Sequence, residues 1–186
     1  MSTKVVTGLV RFSYVQLFAP NKDGKYSVTL LIPKSGESPE KANKTLLAID
    51  KAIKEARENY CKKHGENALP EKPATTIHDG DGLRDNGEPF AEECKGCFVL
   101  RVSTTKAPVI VNREKENITN PEEFYSGCYG RAAINFFGYN SNGNKGISAG
   151  LLSIQKIRDG EPLGITGSAN DFDDMENVDD DDNLPF

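Results

Sequence analysis

Cys128-Tyr-Gly-Arg-Ala-Ala-Ile-Asn-Phe-Phe-Gly-Tyr139 is a strand with two unlike faces. Side chains alternate across a strand. One face carries Cys128, Gly130, Ala132, Ile134 and Phe136, small and apolar, which suits a core. The other carries Tyr129, Arg131, Ala133, Asn135, Phe137 and Tyr139. Asn140-Ser-Asn-Gly-Asn-Lys-Gly146 reads as a hairpin loop, and Ile147 to Ile157 as the partner strand.

Working outward, more short strands appear. Val5 to Tyr14 reads as one strand, Pro20-Asn-Lys-Asp-Gly24 as a turn, and Lys25 to Ile32 as a second strand closed by Pro33. Phe98 to Thr105 makes a third, and Val109 to Asn112 a short further one. Only one helix is predicted, over about 39–64. Ser38 suits its N-cap, Pro39 its first turn and Gly65 its end. Ala42, Leu46, Ile49, Ile53, Ala56 and Tyr60 recur at spacings of three and four and form its buried stripe. Residues 65–97 are rich in Gly, Pro and charge and read as a long loop with little regular structure, of a kind that is functional or partly mobile. Short strands around a single helix predict a mainly β fold, an OB-type five-stranded barrel with elaborated loops. The expected division is a body over 1–168 and an acidic tail over 169–186.

Three aromatics, an arginine and an amide on one strand face do not suit a core. They suit a platform on which bases stack, each stack worth about 1–3 kcal/mol whatever the base. Arg11, Arg101, Lys106 and Lys145 supply cations on or near neighbouring strands. The site expected from the residues is therefore Tyr129, Arg131, Phe137 and Tyr139 with these four.

Other motifs fail on chemistry. Gly138 to Asn144 has Walker-like glycine spacing but Asn144 where the phosphate lysine belongs. Asp79-Gly-Asp-Gly82 starts like a calcium loop, but Leu83 and Phe90 occupy positions that need oxygen ligands. Asp79 and Asp81 are better read as turn formers. Cys61-x-x-His64 and Cys94-x-x-Cys97 have the spacing of a tetrahedral zinc site. The first pair lacks a knuckle turn, however, and His64 extends the helix's apolar stripe as a packed histidine would. No cofactor is expected, zinc being the alternative. No catalytic constellation is present, so a non-enzyme is expected.

The chain carries 23 Lys and Arg against 28 Asp and Glu, a net charge of −5. Eight of the acids lie from Asp171 onward with no base among them, so the body alone has 23 against 20, or +3. The end reads Asp179-Asp180-Asp181-Asp182-Asn183-Leu184-Pro185-Phe186. It has no apolar period and cannot pack into a core. A weakly basic body thus bears an acidic tether that ends in an apolar hook. The N-terminus, with one Lys and an apolar run broken at Gly8, is neither a signal nor a transit peptide. No stretch reaches bilayer length, so no membrane is expected.

The residues resemble a family. Arg11-Phe-Ser-Tyr-Val-Gln-Leu-Phe-Ala-Pro20, Lys25-Tyr-Ser-Val28, Leu31-Ile-Pro-Lys34, Asp79-Gly-Asp81 and Phe124-Tyr-Ser-Gly-Cys-Tyr-Gly-Arg-Ala132 are similar to bacteriophage single-stranded-DNA-binding proteins of the DUF2815 type. The longest match runs from Asn140 to Gly164. The resemblance implies an OB fold and sequence-tolerant binding of single-stranded DNA in phage replication and recombination, in the cytoplasm of an infected bacterium. The tail resembles those of bacterial and phage T7-class single-stranded-DNA-binding proteins, which end in acids and an aromatic and recruit replication and repair proteins. Asn183 and Leu184 depart from the bacterial pattern. The expected partners are single-stranded DNA and, through Asp179 to Asp182 with Leu184, Pro185 and Phe186, replication or recombination proteins. The carboxylates are also expected to compete with DNA for the groove. A homodimer is left open, and a protein adaptor using the aromatic face as a partner interface is the alternative.

Overall fold

The computed structural model describes residues 3–34 and 39–163, with backbone alone at 39–43. Ser38, the Ala42 side chain and the whole acidic tail therefore lie outside the described residues. The strands are β1 (Lys4–Val6), β2 (Val10–Gln16), β3 (Tyr26–Pro33), β4 (Ile77–Asp79), β5 (Cys97–Thr104), β6 (Val109–Val111), β7 (Tyr129–Ser141) and β8 (Asn144–Arg158). Among the described residues there is one α-helix, α1 (Pro39–His64), and a single 3-10 turn, Glu92–Cys94.

Five strands close a barrel. Antiparallel seams join β2 to β3, β3 to β5, β7 to β8, and β7 back to β2. The seam between β5 and β8 is parallel, with Ser103 opposite Gly150. Numbered along the chain, the barrel strands run 1-2-3-5-4 and return to 1, the connectivity of an OB fold. The mainly β architecture with one helix is thus the one expected.

The inward face of β7 follows the alternation: Gly130, Ala132, Ile134 and Phe136 are buried, as is Cys128 before the strand. They meet Phe12, Leu30, Ile32, Leu100, Val102, Ile147 and Ile154 in one core. Phe12 and Phe124 pack with ring centroids 4.9 Å apart. From α1, Ile49, Ala52 and Ala56 are buried in this core, with Leu46, Ile53 and Tyr60 half-buried beside them.

Three expectations are corrected. Val5 to Tyr14 is not one strand: β1 and β2 both lie along β7 but break at Thr7-Gly8-Leu9. The break docks the helix, because the Gly8 amide donates to Thr45 Oγ1 at 2.9 Å. The hairpin loop is also shorter than the run of turn-forming residues suggests. Ser141 pairs with Asn144, leaving two residues in the turn. Asn142 (φ 54°) and Gly143 (φ 84°) adopt the left-handed backbone that a twist-matched two-residue hairpin requires. Finally, the loop over 65–97 contains β4, which pairs with β5, and the 3-10 turn.

Candidate nucleic-acid interface

The outer surface of the barrel carries two grooves that meet on β5. The first, of 620 Å³, lies over β3 and β5 and is lined by Tyr14, Thr29, His78, Arg84, Phe90 and Arg101 among others. Tyr14 reaches it through a bulge. Ser13 pairs with Thr29 and Gln16 with Ser27, so β2 spends one residue more than β3 over that interval. The extra residue turns Tyr14 to φ 47°, and the residue is 59% exposed. Bulges re-aim side chains in this way. Without it, the alternation set by Val10 and Phe12 would point Tyr14 into the core.

The far wall of this groove is the loop bearing Arg84 and Phe90. The Arg84 guanidinium lies 5.6 Å from the Phe90 ring centroid, and the His78 and Phe90 rings are 6.3 Å apart. An ionic clamp holds the loop to the barrel. Lys34 Nζ, just past β3, contacts Asp79 and lies 2.8 Å from Asp81, whose other oxygen accepts from the Gly96 amide at 3.0 Å. Hydrogen bonds from Lys34 hold both carboxyls below the usual carboxylate range, and both raise the lysine above its own. The Asp79-Gly-Asp81 motif therefore does more than form a turn.

The second groove, of 560 Å³, lies over the end of β5 and the β7/β8 hairpin. Lys25, Ser103, Phe137, Tyr139, Ser148 and Leu152 contribute to it. Phe137 is 46% exposed and pairs across the strands with Ser148. Its ring lies over Gly150, where a Cβ would come within 3.4 Å. Arg101 and Ser103 are two apart on β5 and so share a face. One lines the first groove and the other the second, which makes the grooves continuous.

The expected platform is therefore divided. Phe137, Tyr139 and Arg101 belong to the joined grooves, but Tyr129 sits ten residues from Tyr139, about 33 Å along an extended strand. It is held between guanidiniums, with Arg158 at 4.6 Å and Arg11 at 5.4 Å from its centroid. Arg11 is itself committed, donating to the carbonyls of Gly127 (3.1 Å) and Glu161 (2.6 Å). Arg131 donates from Nε to the Thr7 carbonyl at 2.9 Å and lines a separate groove. Lys106 and Lys145 are exposed, one just beyond β5 and the other beside the hairpin turn. Residue patterns did not reveal Tyr14, His78, Arg84 or Phe90. The bulge that turns Tyr14 outward leaves no mark in the local sequence, and the other three reach the groove only through the fold of a long loop.

The cysteine pairs are not brought together. Cys61 packs at the edge of the main core from the end of α1, whereas Cys94 and Cys97 join a second cluster with Leu31 and Val99. Exposed His64 stacks on Tyr60 with centroids 4.3 Å apart. Burial pushes the Cys94 and Cys97 thiols up from their ordinary range. Among the described residues, no group of three or more His, Cys, Asp or Glu is placed to hold a metal ion. No described helix is long and apolar enough to cross a membrane.

A closed OB-type barrel with rings and cations along an outer groove is an architecture of oligonucleotide- and oligosaccharide-binding proteins. The chain belongs to the family of the Enterobacter phage Enc34 single-stranded-DNA-binding protein, whose profile matches residues 3–184. This family is one of binding proteins, not enzymes. The structure of the single-stranded DNA-binding protein from bacteriophage Enc34 superposes with a TM-score of 0.71 at 32% identity, covering 87% of this chain and 84% of that one. The same phage protein in complex with single-stranded DNA gives 0.71 at 31% identity, covering 87% and 90%. Putative protein p50 of Acyrthosiphon pisum secondary endosymbiont phage 1 is 30% identical over 92% of this chain and 94% of its own. The gp2.5 protein of bacteriophage T7, at 14% identity, TM-score 0.60 and full coverage of both chains, shares the fold.

Proposed function

We propose that this chain binds single-stranded DNA with little regard to sequence, along the joined grooves over β3, β5 and the β7/β8 hairpin. The observation that carries this reading is the shared outer face of β5. It sets Arg101 between Tyr14 on one side and Phe137 and Tyr139 on the other. Bases stack on the rings, while Arg84, Arg101 and Lys25 take the phosphates, with Lys106 and Lys145 at the margins. Rings tolerate every base, and cations contribute through release of counterions, so binding weakens with salt. Membership of the Enc34 family, which includes a DNA-bound structure, supports this.

The setting is phage DNA replication and recombination in the cytoplasm of an infected bacterium. The tail has two roles in this proposal. Its eight carboxylates compete with DNA phosphates for the cationic groove, and Leu184-Pro185-Phe186 engages a replication or recombination protein once DNA has displaced them. Titration of the full chain and of a 1–170 truncation with oligo-dT and a mixed sequence, over a salt series, tests the whole scheme. The expected result is similar affinity for both sequences, a steep salt dependence, and tighter binding by the truncation at low salt. Strong preference for one short sequence or for duplex would refute DNA binding as described. Equal affinity of the two forms at low salt would refute the competition.

A further inference from the structure

A third groove, of 270 Å³, lies between β1, β6 and the outer faces of β7 and β8. Lys4, Lys115 and Arg131 line it, with Gln155 and Ser153, and no acid is among its lining residues. Glu116, next to Lys115, turns its carboxylate to Asn112, accepting from Nδ2 at 3.1 Å. Arg131 spends Nε on the Thr7 carbonyl yet remains exposed. Lys115 is exposed at the tip of a turn, with φ 68°.

The groove adjoins the stacking track along the hairpin, for Asn135 lines the second groove and Ala133, two residues away on the same face, lines this one. The outer face of the hairpin runs from Phe137 opposite Ser148, through Asn135 opposite Gly150 and Ala133 opposite Ser153, to Arg131 opposite Gln155. Six residues of strand span about 20 Å. Asn135 accepts from Thr3 Oγ1 at 2.6 Å and the exposed Leu152 stands beside it, but no side chain on this floor between Phe137 and Arg131 is acidic, so nothing there repels a polyanion. Nor does the floor between them offer a ring.

From this we infer that the Lys115/Arg131 groove is a second, purely electrostatic subsite that holds the sugar-phosphate backbone of a longer DNA strand after it leaves Phe137. The inference rests on the reading of the stacking track and extends it. The track grips bases, and this groove grips phosphates alone. It therefore adds to affinity and salt dependence only for strands long enough to reach it.

The test compares dT6, held on the track, with dT20, which reaches beyond it, using Lys115→Asn, Lys115→Glu and Arg131→Gln in the full chain. Asparagine tolerates the left-handed backbone of residue 115, and thermal midpoints identify any variant that is merely unstable. For a single strand each phosphate contact contributes about 0.7 to the salt slope, or about 4-fold in affinity at 0.15 M salt. Lys115→Asn and Arg131→Gln should each weaken dT20 by about that factor and flatten its salt slope by about 0.7. Lys115→Glu should weaken it further, and dT6 should be unaffected throughout. Equal losses on both lengths, or no loss on dT20, would overturn the second subsite while leaving the stacking track standing. If the unaltered protein binds neither length, the track and its extension fall together.

Discussion

Replacing Tyr14 with glycine should separate stability from binding. The residue occupies φ 47° and is 59% exposed. A non-glycine residue in the left-handed region costs about 1–2 kcal/mol. Glycine removes that cost and returns about 0.5–1 kcal/mol through the greater freedom of the unfolded chain. Little apolar burial is lost with a ring so exposed, so Tyr14→Gly should be neutral to about 1 kcal/mol more stable. Binding should move the other way. Losing one stacked base costs about 1–3 kcal/mol, a 5- to 150-fold rise in Kd for oligo-dT. Tyr14→Phe should keep most of the affinity, since the ring remains. The measurements are denaturant unfolding for stability and fluorescence anisotropy with labelled oligo-dT for affinity. Undiminished affinity in Tyr14→Gly would refute a stacking role. A loss of more than about 2 kcal/mol in stability would show instead that the ring supports the fold, and the bulge argument would fail with it.

Two further tests address the divided platform and the loop clamp. Phe137→Ala and Tyr139→Ala should each weaken oligo-dT binding by about 10-fold within the range expected for one stacked base, at little cost in melting temperature. Tyr129→Ala should lower the melting temperature more than the affinity, because its ring is gripped by Arg11 and Arg158; the reverse order would restore the undivided platform. The carboxyls of Asp79 and Asp81 titrate below their ordinary range in the folded protein. Their contribution is therefore present above the unfolded carboxylate range, about pH 4, and is lost as pH falls through the lower folded values. The protection factor of the Gly96 amide, bonded to Asp81, should fall on acidification before the barrel core opens, and Lys34→Met should abolish that step.

Much of the fold is legible in the sequence because a single strand states it. The small apolar set Cys128, Gly130, Ala132, Ile134 and Phe136 alternates without a break, and two-fold alternation has only one way to face a core. The helix is legible for a similar reason, its apolar residues recurring at spacings of three and four. What alternation misses is the bulge. Tyr14 continues the parity of Val10 and Phe12 and would be counted as core, yet one unpaired residue reverses it. The site is less legible still. Tyr129 and Tyr139 lie on the same strand face, but nothing in one strand shows that Arg11 comes from another to occupy the first ring. Likewise Arg84 and Phe90 come to line one groove with Arg101 because β4 pairs with β5 and because Lys34, 45 residues away, ties the loop down at Asp79.

The strand order also sets a timetable. Barrel closure needs β8, which completes the parallel seam with β5 and pairs with β7, and β8 is the last of the described strands to be made. At about 5–20 residues per second, the interval between β2 and the end of β8 is on the order of ten seconds on the ribosome. Until β8 emerges, the edges of β5 and β7 that it will cover are bare and available to other chains. The long hairpin that closes the barrel is thus also what ends this vulnerable period, and its two-residue turn lets it form from neighbouring chain as soon as it emerges.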